Sequence, residues 1–384
     1  MKIFIASEFK CTIYKDEYYL APKAFEIYHR YANAFGDVVL CSRFSATKTL
    51  NEGYKKADFI IDRIEIADLM AVLMGKYNDE MSKKIKECQL VIARVPSIIA
   101  YTAAKIAHNN SIPYLGECMG EAWDSYWNHG DLAGKFIAPY MEHRLKQVMQ
   151  EADFAVYVTD NYLQHRYPTN CRSINASNVF IREVNEEVLE RRLLKIQKMD
   201  VTDISLMTSA SVEAVAKGHR YVIEALSLLA RKGIKAKYYI AGGGDITRLK
   251  KIAEKYNVQD QVIFLGELSM RKLFDVLESI DIYIQPSLQE GLPRAVIEAM
   301  SLGCPCLGSN TAGTPELIPE KYIFNRRSAR AIANSIIKLL EEDMTEVAVM
   351  NFYKSREYLA EKLNSRRNKY FLTIKNTLEG KKIL

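Results

Sequence analysis

Two glutamates eight positions apart, Glu290 and Glu298, stand in the segment IYIQPSLQEGLPRAVIEAM. Glu290 closes a strand-to-helix loop. Pro293 suits the first position of the helix that follows, because its missing N–H would have no partner there. Glu298 then falls on the second turn, and both carboxylates can line one cleft. The N–H groups of Gly291, Leu292 and the residues after them are the unpaired donors of that helix start, suited to a diphosphate or another anion. The plainer alternatives are that Glu290 merely complements the helix dipole and that Glu298 is a solvated helix position. The apolar neighbours Ile297 and Ala299 speak for a buried or site-facing Glu298.

A second feature is the run Gly242, Gly243, Gly244 directly after the strand-like KYYIA. Glycines there let backbone N–H groups and a helix start approach an anion or a flat base, and they also suit a plain tight turn. The run fails the dinucleotide fingerprint G-x-G-x-x-G because Thr247 stands where the third glycine belongs. The turn after KIFIA has no glycine at all, so a nicotinamide oxidoreductase is a poor reading. There is no D-x-D triplet, and Cys304-Pro-Cys306 lacks a second ligand pair, so no metal site and no cofactor are expected.

These residues need a scaffold, and the chain supplies one twice. KIFIA, DVVLC, ADFIID, QLVIAR, PYLGE and DFAVYVT alternate with helical segments at 19–34, 98–109 and 135–151. The alternation predicts an α/β fold with a parallel sheet covered on both faces and ligands at the carboxyl ends of its strands. DISLMTS, KYYIAGGG, QVIFLG, DIYIQPS and CPCLGS restart the pattern after the charge-dense segment 182–200. Two Rossmann-like doubly wound domains facing a central cleft are expected, at about 1–190 and 200–345, with the boundary near 185–202. The length of 384 residues suits two such domains.

Composition excludes several classes. With 48% hydrophobic and 26% charged residues the chain reads as an ordered globular protein. Its seven cysteines are odd in number and scattered, as reduced thiols are. No signal peptide and no 18-residue apolar run is visible, so a cytoplasmic location is expected. The net charge of +6 resides in the tail, where residues 351–384 hold nine Lys/Arg against three Asp/Glu. Phe352, Leu359, Leu363, Tyr370, Leu372 and Ile374 recur there at roughly helical spacing, which predicts an amphipathic basic helix. Its apolar stripe can pack on the body, and its cations can also draw the protein to an anionic membrane surface as a peripheral protein. Nucleic acid is not an expected partner, because the charge is confined to the tail and no binding module is present.

The Glu-x7-Glu pair, the glycine turn and the segments KGHRYVIEALSLL and IYIQPSLQEGLP resemble the nucleotide-sugar glycosyltransferases of the GT-B fold, retaining family 4. IARVPSIIAYTAAKIA, ECMGEAWDSYWNHG and YLQHRYPTN further resemble bacterial members that build capsule, O-antigen or other cell-surface polysaccharides. The resemblance implies that Glu298 bonds the ribose of the donor nucleotide and that Glu290 contacts sugar hydroxyls near the reacting centre. Gly291 and Leu292 would offer N–H groups to diphosphate and sugar, Lys217 would clamp the diphosphate, and Arg294 would supplement it. It also implies that a C-terminal helix (350–384) crosses back onto the first domain. One departure stands out: the family usually has an arginine about five residues before the lysine, and MTSASVEAVAK supplies none. Either Arg294 or His219 replaces it, or the donor is held less tightly, or the protein is a binding relative with little activity.

In this picture the leaving phosphate accepts the acceptor's proton, so neither a side-chain base nor a metal is required. On the acceptor side, Arg94 and Ser97 after QLVIA, and Glu117, Glu121, Trp123, Asp124, Trp127 and His129 after PYLG, lie where an α/β site opens. Each of them could equally be core or loop. The expected partners are a nucleotide-sugar donor and a glycan or polyprenyl-diphosphate-linked acceptor. The remaining alternatives are a non-catalytic subunit or regulator of a partner transferase, and a nucleotide-sugar epimerase.

Overall fold

A computed structural model describes residues 1–127, 132–181 and 185–380. The chain divides into two compact units: unit 1 holds Met1–Tyr126, Phe136–Asn178 and Asn364–Leu384, and unit 2 holds Trp127–Lys135 and Val179–Leu363. The expected boundary near 185–202 is therefore displaced. The helix Glu186–Gln197 packs against the helix Met344–Ser355, and Arg192 donates to the carbonyls of Leu277, Ile280 and Leu302, so this charged segment is part of unit 2 and not a linker.

In unit 1 the strands are β1 (Lys2–Ala6), β2 (Cys11–Tyr14), β3 (Glu17–Leu20), β4 (Asp37–Ser42), β5 (Phe44–Ala46), β6 (Lys55–Lys56), β7 (Ile60–Glu65), β8 (Leu90–Val95), β9 (Tyr114–Cys118), β10 (Phe154–Tyr157) and β11 (Ser173–Asn175). Seven of them form a parallel sheet in the order β11-β10-β9-β8-β1-β4-β7. Such strands are covered on both faces, which is why they read as nearly continuous apolar runs. Alternate residues serve opposite cores. Ile3 and Ile5 join the helix Pro22–Phe35 on one face, while Phe4 and Ala6 join the helix Ile98–Asn109 and Met141, Leu145 and Val148 of the helix Leu132–Gln150 on the other.

The periodicity predicts a helix from residue 19, but β2 and β3 form a hairpin that ends at Leu20, and the helix begins at Pro22. Lys15 and Asp16 take left-handed backbone conformations (φ 50° and 59°), as a two-residue hairpin turn requires. The hairpin pairs with β5 and β6 in a small four-stranded sheet.

The expected single helix 350–384 is broken: its start belongs to the helix Met344–Ser355 of unit 2, where Phe352 is buried. After a turn at Arg356–Tyr358 the helix Ala360–Leu378 follows. Its stripe is spent on packing: Tyr370, Phe371 and Ile374 are buried in unit 1, with the Phe371 ring 5.3 and 5.2 Å from those of Tyr31 and Phe35. Burying one such side chain contributes about 2 kcal/mol. Leu372 is 59% exposed and leaves the stripe. No described helix is long and apolar enough to cross a membrane.

Unit 2 carries β12 (Asp203–Ser209), β13 (Lys235–Ala241), β14 (Val262–Gly266), β15 (Ile282–Gln285), β16 (Cys306–Ser309) and β17 (Ile323–Phe324), in the parallel order β14-β13-β12-β15-β16-β17. The chain leaves β12 towards β13 and later returns to β15 on the other side. The carboxyl ends of β12 and β15 thus flank the topological switch point, where an open α/β sheet opens a crevice for a ligand.

Candidate functional site

The loops leaving β12 and β15 hold most of the residues singled out in the sequence. After β12 the chain makes a short 3-10 turn, Val215–Lys217, and enters the helix His219–Ala230 through Gly218 (φ 74°). A side chain at Gly218 would put its Cβ 1.9 Å from the Pro286 carbonyl oxygen, so only glycine lets the two loops touch. The loops are joined again where Leu288 N–H donates to Ala216 O at 2.6 Å.

This close approach sets Lys217 beside Glu290, with Nζ 2.7 Å from Oε1. The same oxygen accepts Gln285 Nε2 at 2.8 Å. Gln285 was not foreseen. It ends a strand and reads as core in sequence, and the polar residue in IYIQ was its only signal.

The helix after this loop spans Arg294–Ser301, with Pro293 as its N-cap and not as its first residue. Glu298 lies on its second turn and is buried. Burial pushes its carboxyl above the usual glutamate range, against the pull of Arg294, whose Nε donates to Oε1 at 2.7 Å. Arg294 itself is 51% exposed and tied to that carboxylate. Gly291 and Leu292 sit between the two glutamates, and Gly313 N–H donates to Gly291 O at 2.9 Å, fixing the turn from the β16 side.

The glycine run follows β13 as expected, but the helix begins later, at Thr247. Gly242 is demanded by packing, since a Cβ there would lie 2.0 Å from Ala210 O. Gly244 (φ 120°) lies against Glu213, whose Oε1 accepts Asp245 N–H at 3.1 Å. Gly242 N–H donates to Gly266 O, so these two donors are already engaged within the unit. A Cβ on Gly243 would meet nothing closer than Glu267 at 3.6 Å.

His219 does not take the part of the missing arginine. It is buried, with one ring nitrogen 2.9 Å from the Tyr238 hydroxyl and the other 3.2 Å from Ser211 O, and burial drives its pKa down to about 4. The imidazole is neutral and faces inward. A guanidinium does reach the arginine-less segment from elsewhere, because Arg248 Nη2 donates to Val212 O at 3.1 Å. Nothing in the sequence pattern pairs those two positions.

The residues considered for the acceptor side behave differently. Arg94 and Glu117 point from adjacent strands β8 and β9 into the layer beneath the helix Pro22–Phe35, where they pair with each other, both fully buried. Burial alone would raise the Glu117 pKa, but Arg94 and the Asn178 amide (2.6 Å) outweigh it and hold the carboxyl down at about 2. Ser97 is the N-cap of the helix Ile98–Asn109, accepting Ala100 N–H at 3.2 Å. These three are parts of the framework and not open binding groups. Glu121 is also buried, bonded by Arg166 and by the Tyr162 hydroxyl. Trp123, half-buried, and Asp124, buried, lie on the short helix Ala122–Trp127 that follows β9. His129 lies outside the described residues. No cluster of three or more His, Cys, Asp or Glu that could hold a metal ion occurs among the described residues.

Residues 193–363, which contain Lys217, the glycine run, Gln285, Glu290 and Glu298, match the family Glycosyl transferases group 1. That match covers less than half of the chain, all of it in unit 2. Protein CapJ of Staphylococcus aureus is 29% identical to it over 389 residues, covering 98% of this chain and 97% of CapJ. WcaL of Escherichia coli K12, a putative colanic acid biosynthesis glycosyltransferase, is 30% identical over 142 residues, 34% of this chain and 35% of WcaL. Among solved structures, HepE of Anabaena in complex with UDP superposes with a TM-score of 0.65 at 14% identity, covering 97% of this chain and all of HepE. That likeness carries the fold, which is GT-B: two α/β units, each built on a parallel sheet.

Proposed function

We propose that the protein transfers a sugar from a UDP-sugar to a growing glycan or a polyprenyl-diphosphate-linked acceptor of a bacterial surface polysaccharide, with retention of configuration and without a metal ion. The Lys217–Glu290 pair at the switch point of β12 and β15 carries this reading. It sets a cation for the diphosphate next to a carboxylate for the sugar, and Gly291 and Leu292, in the loop just before the helix Arg294–Ser301, would add backbone N–H donors beside them. Glu298 would bond the ribose hydroxyls. As the diphosphate departs, Lys217 meets the charge that grows on it, so catalysis is positioning plus electrostatic stabilisation. The acceptor hydroxyl attacks from the face the phosphate leaves and gives its proton to that phosphate. HepE, solved with UDP, supports the choice of base, and WcaL, named for colanic acid, supports the polysaccharide. The exposed cations of the tail, such as Lys362 and Lys369, would hold the protein at the inner face of the membrane.

The deciding experiment is a thermal-shift panel of nucleoside diphosphates and their sugars in chelator, followed by NMR of the product's anomeric configuration. A shift with one nucleotide that is lost in Glu298→Ala, and an anomer retained in the product, are expected. Strict dependence on added Mg²⁺ or Mn²⁺ would sink the metal-free mechanism. Donor binding without turnover would make the chain a non-catalytic subunit, the reading that its missing arginine favours.

A further inference from the structure

We propose that Gln285 is a positioning residue for sugar transfer: its side-chain amide holds one oxygen of Glu290 inside the protein and so turns the other towards the sugar. This role rests on the transferase reading of the site.

Gln285 is only 2% exposed, at the end of a strand that is otherwise apolar or aromatic. A buried amide is costly there unless its polar atoms are all paired, and an aliphatic side chain would pack without that demand. Every polar atom of Gln285 is paired. The Tyr283 hydroxyl accepts Ser209 N–H at 3.2 Å, which leaves its own proton for Gln285 Oε1 at 2.9 Å. That bond fixes which end of the amide is oxygen. The two hydrogens on Nε2 then go to Ser287 Oγ at 2.9 Å and Glu290 Oε1 at 2.8 Å.

Ser287 is itself immobilised, its carbonyl accepting the hydroxyls of Ser309 and Thr311. The amide is thus anchored to β12 through Ser209 and to β16 through Ser309, and the element it holds in place is Glu290. Lys217 bonds the same oxygen, so both partners act on Oε1 and Oε2 lies outside this network. A diphosphate that draws the Lys217 ammonium removes one of those two partners. Gln285 is the one that stays, because it carries no charge for the phosphates to compete for. Glu290 therefore keeps its orientation at the moment its neighbour changes allegiance.

The test compares Gln285→Met, which keeps length and loses both hydrogen-bonding ends, with the isosteric Gln285→Glu. The ionisable groups around the position are Lys217, Glu290, Glu298, Tyr283 and, on the adjacent strand β16, Cys306, whose thiol pKa is raised by burial. Gln285→Met is expected to lower kcat about 10- to 100-fold, the worth of one hydrogen bond to a charged group, while the UDP-induced thermal shift stays as in the wild type. In Gln285→Glu the introduced carboxyl can donate to Glu290 only while protonated, so activity should return at acid pH and fall as pH rises, a limb the wild type lacks. In a Glu290→Ala background, Gln285→Met should add less than twofold. A merely structural glutamine gives no such pH limb and adds its full loss on top of Glu290→Ala, and either result overturns the proposal. Wild-type turnover that Gln285→Met leaves untouched overturns it while the transferase reading stands. A wild type that transfers no sugar from any nucleotide donor overturns both.

Discussion

The ammonium of Lys217 stands 2.7 Å from Glu290 Oε1, although the two residues lie 73 positions apart in the chain. Both belong to loops at one switch point, and in the proposed mechanism the donor's phosphate competes with the carboxylate for the lysine. Lys217→Ala should lower kcat about 100-fold or more, the usual loss when one donor to a developing negative charge is removed. Lys217→Arg should recover little, because a planar fork does not replace a point charge in a tight turn. Glu290→Ala should lower kcat while keeping the UDP-induced thermal shift, since its proposed contact is to the sugar. Steady-state kinetics beside thermal shifts on the three variants check this, and equal loss of nucleotide binding in Lys217→Ala and Glu290→Ala would contradict it.

Glu298 should make nucleotide affinity depend on pH. Its carboxyl must be ionised to accept two hydroxyls, and burial has raised its pKa above the usual glutamate range. Affinity is therefore expected to decline as pH falls through that raised value, at a higher pH than an ordinary glutamate would give. The folded state's own balance runs the other way, since a raised carboxyl pKa favours the fold at low pH and that contribution is lost as pH rises. Isothermal titration of UDP across the acid range should show the decline in the wild type and a weaker, flat profile in Glu298→Gln.

His219 supplies a stability prediction of opposite sense. Its folded pKa of about 4 lies below the ordinary 6.5, so between these values the unfolded chain binds the extra proton. Its contribution is present above pH 6.5 and is lost as pH falls towards 4. Urea unfolding followed from pH 7.5 to 4.5 should show stability falling with pH, with a shallower slope in His219→Gln. Identical slopes would mean that the imidazole is not the group responsible.

Arg94 and Glu117 predict a large effect remote from the chemistry. Arg94→Met leaves a buried carboxylate without its partner, which costs about 3–5 kcal/mol. Replacing both, by methionine and leucine, should recover most of that loss. Because the Glu117 pKa is lowered to about 2 from 4.5, the pair's contribution is full above pH 4.5 and disappears as pH falls towards 2. Denaturant midpoints of the single and double variants are the check, and a double variant no better than the single one would show that the charges are not the cause.

Much of the scaffold was legible because parallel strands announce themselves. KIFIA, QLVIAR, DISLMTS and DIYIQPS mark β1, β8, β12 and β15, and each strand is mostly buried on both faces. The hairpin at 11–20 was not, since its turn depends on Lys15 and Asp16 adopting backbone conformations that neither residue favours. At the site, Glu290 could be singled out by position and Lys217 through the family resemblance, but Gln285 could not. Its own partners, Tyr283, Ser287 and Glu290, are local, but they are fixed by Ser209 of β12 and Ser309 of β16, and no local spacing records those contacts. The reverse error befell Arg94 and Glu117: charged residues near strand ends suggest an opening, and only the packing of the helix Pro22–Phe35 over them shows a closed interior.

The assignment of residues to units has a consequence for synthesis on the ribosome. Unit 2 draws nearly all its residues from one continuous stretch, Val179–Leu363, whereas unit 1 needs Arg367, Tyr370, Phe371 and Ile374 to fill the core beside the helix Pro22–Phe35. Domains generally fold as they are made. Here the part translated first is the part completed last: its sheet can form early, but the face under the helix Pro22–Phe35 stays only partly covered until unit 2 has already emerged.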